Sequence, residues 1–222
     1  SKYVRQRNTV SKLLNILDKK KLLKNVKYEI IIKKNIPLEA GLGGGSMNAA
    51  NILKYLIKNN IINISKKQIS NITSLIGSDV ILGMYSKNLV LKSDNKIREF
   101  LVKKNFFALI VKPNFGCSTK SIYKKVRIFS KPNLNNASIK NINLDKIKVL
   151  KNDLENVAKN EYPKLENLIN FMKNLKHNEF VRMTGSGSAA IAYFKTKNAS
   201  LNATKVIKKK YKNYWCIISK TI

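Results

Sequence analysis

Residues 37–50 read P-L-E-A-G-L-G-G-G-S-M-N-A-A and place four glycines between two segments of different periodicity. Upstream, residues 26–34 alternate apolar and polar side chains with one intruding isoleucine, which predicts a β-strand. Downstream, Ala49, Leu53 and Leu56 recur at helical spacing. The stretch therefore predicts a strand, a glycine-rich loop and the beginning of a helix.

A glycine-rich loop that opens a helix suits a phosphate group. The first N–H groups of a helix have no intrahelical acceptor, and the helix dipole adds positive potential there. Glycines have no Cβ, so the backbone can approach a polyphosphate closely, and Ser46 and Asn48 add side-chain donors. The pattern matches neither the P-loop nor the dinucleotide fingerprint. A plain glycine turn is the alternative interpretation.

The pattern P-x-x-x-G-L-G-G-G-S-x-N-A-A resembles the second motif of the GHMP kinases, which include galactokinase, homoserine kinase and mevalonate kinase. Its triple glycine is most similar to the corresponding motif of one branch of the family, which phosphorylates the 2-hydroxyl of 4-diphosphocytidyl-2-C-methyl-D-erythritol, an isoprenoid precursor. Met47 departs from that branch, which usually has a serine there, and a thioether donates no hydrogen bond to phosphate. A homoserine-type or mevalonate-type kinase of the same family is the alternative.

The resemblance implies that ATP and Mg²⁺ are the cofactors and that a small-molecule alcohol is the substrate. It also implies that the glycine-rich loop binds the nucleotide. The implied nucleotide-binding residues are Pro37, Leu38, Glu39, Ala40, Gly41, Leu42, Gly43, Gly44, Gly45, Ser46, Met47 and Asn48.

Asp79 lies in the segment I-G-S-D-V-I-L-G, where an acidic residue is flanked by a glycine and an apolar run. This pattern indicates a carboxylate at the edge of a core. The segment resembles the family's G-[AS]-D-V, whose aspartate is regarded as the catalytic base, and the resemblance implies that role for Asp79. A capping role in a turn or helix is the alternative.

Two later segments resemble substrate-binding parts of the family. The segment S-T-K-S-I-Y at 118–123 implies that Thr119 lies near the substrate, with a helix cap as the alternative. The segment T-G-S-G-S-A-A at 184–190 resembles the third family motif and implies that Gly185, Ser186 and Gly187 face the substrate and nucleotide phosphates. An ordinary hairpin turn is the alternative there.

Periodicity and capping signals predict the remaining elements. We expect a helix at 4–18 capped by Thr9 or Ser11, and a helix at 65–75 capped by Ser65. A segment N-D-L-E at 152–155 is expected to begin a helix capped by Asp153, and Pro163 to open another. The predicted strands are 89–91, 97–101, 106–111, 180–183, 191–194 and 215–218, and a last helix is expected at 201–210.

The resemblance implies an α+β GHMP-kinase fold with two domains. Residues 1–112 would form an incomplete N-terminal domain of the ribosomal protein S5 domain 2-like type, and residues 113–222 a ferredoxin-like α/β C-terminal domain. The family's first motif, P-A-K-[IL]-N-[LF] with a catalytic lysine, has no counterpart before Lys34. We therefore expect a kinase shortened at its N-terminus, with a lower rate of phosphate transfer.

The composition limits the classes of partner. A net charge of +32, from 44 lysines and arginines against 12 acidic residues, would ordinarily indicate nucleic acid. The charge is spread along the chain with no base-reading motif, so we expect no specific nucleic-acid partner. A basic nucleic-acid-binding module is the non-enzyme alternative.

The same composition gives expectations about location and metal sites. No apolar run is long enough to span a bilayer, and residues 1–7 do not resemble a signal peptide. Cys117 and Cys216 lie far apart, and His177 is the only histidine, so neither a disulfide framework nor a zinc site is expected. We expect a cytoplasmic protein that is a monomer or a homodimer.

Overall fold

The computed structural model describes residues 8–23, 28–92, 96–100, 105–131 and 144–221, which form two compact units. Unit 1 contains the described residues of Ser1–Ile36 and Gly43–Ser86. Unit 2 contains Pro37–Leu42 and the described residues of Lys87–Ile222. The glycine-rich loop therefore begins in unit 2 and ends in unit 1. The predicted division at residue 112 concerns the domains of the family and stays a prediction.

In the described residues of unit 1, all regular secondary structure is helical. It contains α1 (Thr9–Lys19), α2 (Gly44–Lys58), α3 (Lys66–Ile76) and a 3₁₀ helix (Ile81–Met84). The amphipathic pattern seen in the sequence brings one apolar face of each α-helix to a common core. That core includes Leu13, Leu17, Ala49, Ala50, Leu53, Leu56, Ile72, Ile76 and Val80.

Capping residues determine where the helices of unit 1 begin. The Ser65 hydroxyl accepts from the N–H of Gln68, and the Gln68 side chain accepts from the N–H of Ser65, which confirms the predicted cap of α3. The predicted caps of α1 were wrong. Asn8 caps it by accepting from the N–H groups of Val10 and Ser11, at 2.8 and 3.1 Å. Residues 4–7 of that predicted helix lie outside the described residues.

The strand predicted at 26–34 is absent from its described part. Residues 28–35 form no strand, and residues 24–27 lie outside the described residues. A strand exists through hydrogen bonds to a neighbouring strand. No described segment pairs with residues 28–35, and their alternation alone did not create the strand.

Unit 2 contains two antiparallel sheets. The strands β1 (Asn88–Leu91) and β2 (Ile97–Phe100) pair with each other, as the sequence predicted. The larger sheet has the order β4-β5-β3-β6 and consists of β3 (Phe107–Lys112), β4 (Asn178–Met183), β5 (Ala190–Phe194) and β6 (Trp215–Lys220).

The helices of unit 2 lie in the connections of the larger sheet. They are α4 (Thr119–Lys125), α5 (Leu144–Val149), α6 (Asp153–Glu161), α7 (Pro163–Lys173) and α8 (Lys197–Lys210). Along the chain, the elements of the larger sheet follow the order strand, helices, strand, strand, helix, strand, and β3 lies between β5 and β6 in the sheet. This is the ferredoxin-like arrangement that was predicted. Pro163 opens α7 as expected.

The predicted apolar stripe of α7 is buried in the core of unit 2. Leu165, Leu168, Ile169 and Met172 are all fully buried, and they join buried residues of β3 and β5 such as Leu109 and Ala192. Truncating one such side chain to alanine typically costs about 2–5 kcal/mol. This core fixes the ends of the strands, from which the loops of the candidate site emerge.

Candidate active site

The glycine-rich loop ends at the N-terminus of α2, as the sequence predicted. Gly43 is the N-cap residue, with a left-handed φ of 64°, and no side chain makes a capping hydrogen bond. The first turn of α2 contains no acidic residue. The first main-chain bond runs from the N–H of Met47 to the carbonyl of Gly43 at 2.9 Å, so the preceding N–H groups of the helix have no acceptor within it. This helix start favours an anion.

The side chain of Met47 packs within unit 1. A Cβ placed on Gly83 of the 3₁₀ helix would lie 3.0 Å from both Sδ and Cε of Met47, and 2.6 Å from Cβ of Ala50. The thioether therefore lies against the 3₁₀ helix. Packing is a physical reason for methionine at this position, where the resemblance led us to expect a hydroxyl.

Asp79 lies in the turn between α3 and the 3₁₀ helix. Its carboxylate is exposed, and Oδ1 accepts a hydrogen bond from Oγ of Ser78 at 3.1 Å. The neighbouring Val80 is fully buried and anchors the turn in the core. No side chain caps the 3₁₀ helix, so the capping interpretation of Asp79 has no support there. Because Gly83 packs on α2, the Asp79 turn and the first turns of α2 belong to one packed group.

Thr9 also contacts the start of α2 instead of capping α1. Its Oγ1 donates to the carbonyl oxygen of Gly45 at 2.6 Å. This bond connects the beginning of α1 to the first turn of α2. No local sequence pattern predicts this bond, because the two residues are 36 positions apart.

In unit 2, residues 37–42 run beside the loop at 184–189, which joins β4 to β5. The N–H groups of Ser188 and Ala189 donate to the carbonyls of Glu39 and Ala40, at 3.1 and 3.2 Å. The hydroxyl of Thr184 donates to the carbonyl of Gly41 at 3.0 Å. Two segments predicted to serve phosphate groups are thus hydrogen-bonded to each other.

Thr119 and Ser186, both predicted substrate-binding residues, are in direct contact. Their hydroxyl oxygens are 2.8 Å apart, with Thr119 exposed and Ser186 buried. Ser118, not Thr119, caps α4 by accepting from the N–H of Ser121. The helix-cap alternative for Thr119 is therefore wrong, and its hydroxyl lies against the 184–189 loop.

The first turn of α6 holds the other side of that loop. Asn152 caps α6, so the predicted cap Asp153 was wrong; the Asp153 carboxylate instead accepts from the N–H of Ser130 at 2.8 Å. The side-chain amide of Asn152 donates to the carbonyls of Met183 and Gly185. Sequence reasoning missed these contacts because they join residues about 30 positions apart.

A buried lysine and a buried thiol lie next to the 37–42 segment. Lys112 is 5% exposed, and its ammonium donates to the carbonyls of Pro113 and Phe115 at 2.9 and 2.6 Å. Burial raises the pKa of Cys117 to about 11; the Lys112 charge lowers that pKa, and the Glu39 charge raises it. The thiol is therefore protonated at neutral pH.

A cavity in unit 2 lies away from the predicted site residues, and the described residues offer no metal cluster. The described ranges contain no group of three or more His, Cys, Asp or Glu that could hold a metal ion. A cavity of about 480 Å³ in unit 2 is lined by α7 and by Lys210, Tyr211 and Tyr214. None of its lining residues is a predicted site residue. Along the described parts of the chain, every helix is too short or too polar to cross a bilayer.

Two family models match this chain. The model of the GHMP kinases N terminal domain matches residues 8–87, and that of the GHMP kinases C terminal matches residues 136–213. The chain belongs to the GHMP kinase family. Within that family it is similar over its whole length to a protein of Pelagibacter ubique (strain HTCC1062) named 4-diphosphocytidyl-2-C-methyl-D-erythritol kinase. The two are 49% identical over 222 residues, which are 100% of this chain and 79% of that protein.

A second relative and two solved structures agree with this placement. A protein of the same name from Clostridium tetani is 33% identical over 204 residues, 87% of this chain and 71% of that protein. A crystal structure of 4-(cytidine 5'-diphospho)-2C-methyl-D-erythritol kinase matches with a TM-score of 0.77 at 23% identity, covering 98% of this chain and 80% of that one. Homoserine kinase from Cytophaga hutchinsonii matches with a TM-score of 0.68 at 14% identity, covering 98% and 76%. The structural matches show the fold.

Proposed function

We propose that this protein transfers the γ-phosphate of ATP to the 2-hydroxyl of 4-diphosphocytidyl-2-C-methyl-D-erythritol. The observation that carries the proposal is the 49% identity to the Pelagibacter kinase over the whole of this chain. The glycine-rich loop and the exposed Asp79 are two groups that such a transfer needs. Phosphoryl transfer depends mainly on positioning and on charge stabilisation.

The start of α2 is the proposed site for the ATP phosphates. Gly44 and Gly45 lack Cβ atoms, and space is open around Gly44, where an added Cβ would meet nothing within 4 Å. N–H groups without intrahelical acceptors, at the positive end of a 15-residue helix, supply donors and potential. Within the loop, the Met47 side chain contributes packing on the 3₁₀ helix, while residues 37–42 hydrogen-bond to the 184–189 loop inside unit 2.

Asp79 is the proposed catalytic base. In the step, the substrate hydroxyl oxygen bonds to the γ-phosphorus, the bond from that phosphorus to the bridging oxygen of ADP breaks, and the hydroxyl proton passes to the carboxylate. An exposed carboxylate in a turn held by a buried neighbour suits this role, because it is accessible and fixed at once.

Mg²⁺ would neutralise charge on the phosphates. The described residues offer no cluster of three acidic, cysteine or histidine ligands, so they do not form a dedicated metal cage. This donor set fits Mg²⁺, which is commonly held by substrate phosphates with one or two carboxylates. We therefore propose that the ion enters with ATP.

Thr119, Gly185, Ser186 and Gly187 are the proposed substrate-binding residues. The hydrogen bond between Thr119 and Ser186 supports a shared role, because it joins two segments that the resemblance assigned to the substrate independently. The cytoplasmic location and the monomeric or dimeric state stay predictions.

Nucleotide binding can be tested apart from catalysis with Gly44→Ala. The new methyl group enters open space and a helical position, so stability should be unchanged or slightly raised. If the ATP phosphates approach this backbone, the methyl group should weaken ATP binding about tenfold or more. An unchanged affinity for a fluorescent ATP analogue would contradict the phosphate site.

The substrate class is tested by ADP release with a panel of alcohols. We expect release with 4-diphosphocytidyl-2-C-methyl-D-erythritol and none with homoserine or mevalonate. Release with one of the other two would assign the protein to another branch of the family. Salt-dependent RNA binding without any nucleotide binding would instead favour a basic nucleic-acid-binding module, which the net charge of +32 permits.

A further inference from the structure

The loop at 184–189 is held from two sides within unit 2. On one side, residues 37–42 accept hydrogen bonds from Thr184, Ser188 and Ala189. On the other side lies the first turn of α6, which carries the segment N-D-L-E. The loop contains three proposed substrate-binding residues, so whatever fixes its position bears on the proposed reaction.

Asn152 uses both ends of its side-chain amide. Its Oδ1 accepts from the N–H of Leu154 at 3.1 Å and caps α6. Its Nδ2 donates to the carbonyl of Met183 at 3.0 Å and to the carbonyl of Gly185 at 2.8 Å. One side chain therefore connects a helix start to the first residues of the loop.

Glu155 completes the contact with the end of β4. At the third helical position, a glutamate in a capping box would accept from the N–H of its own cap residue. Here Oε2 accepts from the N–H of Met183 at 2.8 Å. Asn152 and Glu155 thus bind the carbonyl and the N–H of the same residue, Met183.

We propose that Asn152 and Glu155 are positioning residues for the 184–189 loop. They act through Met183 and Gly185, without touching substrate, and hold the loop against the carbonyl of Gly41. This inference rests on the proposed kinase function, because it assigns the two side chains to the placement of that reaction's substrate-binding loop. Reactions lose rate when such a loop is misplaced by small distances.

Asn152→Asp is the most discriminating variant. Aspartate caps a helix as well as asparagine does, so α6 should keep its start. However, the carboxylate has no N–H groups to donate, and it would face the carbonyls of Met183 and Gly185. Asp153→Asn is the matched control. It changes a carboxylate in the same helical turn, but that carboxylate accepts from the N–H of Ser130 and does not bond the loop.

The kinetic readout separates positioning from loss of folded protein. At a temperature where the variants are fully folded, we expect Asn152→Asp and Glu155→Ala to lower kcat about tenfold or more and to raise KM for the alcohol substrate. Glu155→Gln keeps an acceptor oxygen and should restore activity to within about threefold of the original. A smaller folded fraction would lower the apparent kcat and leave KM unchanged.

Hydrogen exchange gives a readout that needs no activity. The N–H groups of Thr184, Gly187, Ser188 and Ala189 are all hydrogen-bonded, and they should exchange at least about tenfold faster in Asn152→Asp but not in Asp153→Asn. Unchanged exchange in Asn152→Asp, or unchanged kcat and KM, would overturn the positioning role. An original protein that does not phosphorylate the diphosphocytidyl substrate would overturn the proposed function, while exchange would still decide whether the two residues hold the loop.

Discussion

Gly41 and Thr184 lie so close that a Cβ on Gly41 would be 2.2 Å from the carbonyl oxygen of Thr184. Gly41 has a left-handed φ of 67°, and its own carbonyl accepts from the Thr184 hydroxyl at 3.0 Å. Glycine is required here for two reasons, the backbone conformation and the approach of another main chain. The second and third family motifs therefore meet at this pair of residues.

Replacing Gly41 should be far more costly than replacing Gly43. Gly43→Ala introduces only the strain of a left-handed alanine, about 1–2 kcal/mol, because nothing lies within 4 Å of the new Cβ. Gly41→Ala adds a clash with main-chain atoms that cannot move aside, so we expect a loss of about 3 kcal/mol or more. Urea unfolding monitored by circular dichroism measures the free energy of unfolding of both variants. Equal losses would show that the two loops are not in contact.

Asp79→Asn should abolish most of the catalysis without affecting the fold. The amide cannot accept the hydroxyl proton, and loss of a general base typically lowers kcat by about 100-fold to 10,000-fold. The carboxylate is exposed, so the melting temperature should be unchanged. Ser78→Ala is the control, because it removes only an exposed hydrogen bond to the same carboxylate. An Asp79→Asn protein with its original kcat would exclude the base role.

Gly83→Ala should destabilise unit 1 by about 1–3 kcal/mol through overpacking. The new methyl group would meet Cβ of Ala50 at 2.6 Å and the Met47 thioether at 3.0 Å. Gly77→Ala is a matched control in the neighbouring turn, since its nearest contact would be Val80 at 3.9 Å. Equal stabilities of the two variants in thermal unfolding would contradict the packing of Met47 on the 3₁₀ helix.

Local sequence patterns were sufficient to predict those elements that are specified by a few neighbouring residues. The capping box at Ser65, the proline that opens α7 and the apolar run of β5 each act within a few residues, and each prediction agreed with the structure. The strand predicted at 26–34 failed in its described part because a strand depends on a partner that the segment itself does not specify.

The site was predictable in its residue types but not in its contacts. The resemblance selected the glycine-rich loop, Asp79 and the 184–189 loop, and their roles stay predictions. It gave no indication that Thr9 contacts Gly45, or that Asn152 bonds Gly185. Such contacts join distant positions, and a single sequence contains no local pattern that specifies them.

The buried thiol of Cys117 predicts a loss of stability at high pH. Burial raises its pKa from 9.0 to about 11, so between these values the unfolded chain loses a proton that the folded protein keeps. This contribution to stability is fully present below pH 9.0 and is lost as the pH rises towards 11. The pH dependence of urea unfolding should be measured for the original protein and for Cys117→Ala, and the difference isolates the contribution of the thiol. Identical slopes from pH 9 to pH 11 would contradict the burial of a protonated thiol.

The most direct test of the proposed phosphate transfer is ³¹P NMR of the product formed from ATP, Mg²⁺ and 4-diphosphocytidyl-2-C-methyl-D-erythritol, with Asp79→Asn measured in parallel. We expect a new phosphomonoester resonance that appears together with the β-phosphate of ADP. Its ³¹P–¹³C coupling to the methyl-bearing carbon should place the phosphate on the 2-hydroxyl oxygen. We also expect Asp79→Asn to form this product at least about 100-fold more slowly. A phosphate on another hydroxyl, or no phosphomonoester at all, would contradict the proposed reaction.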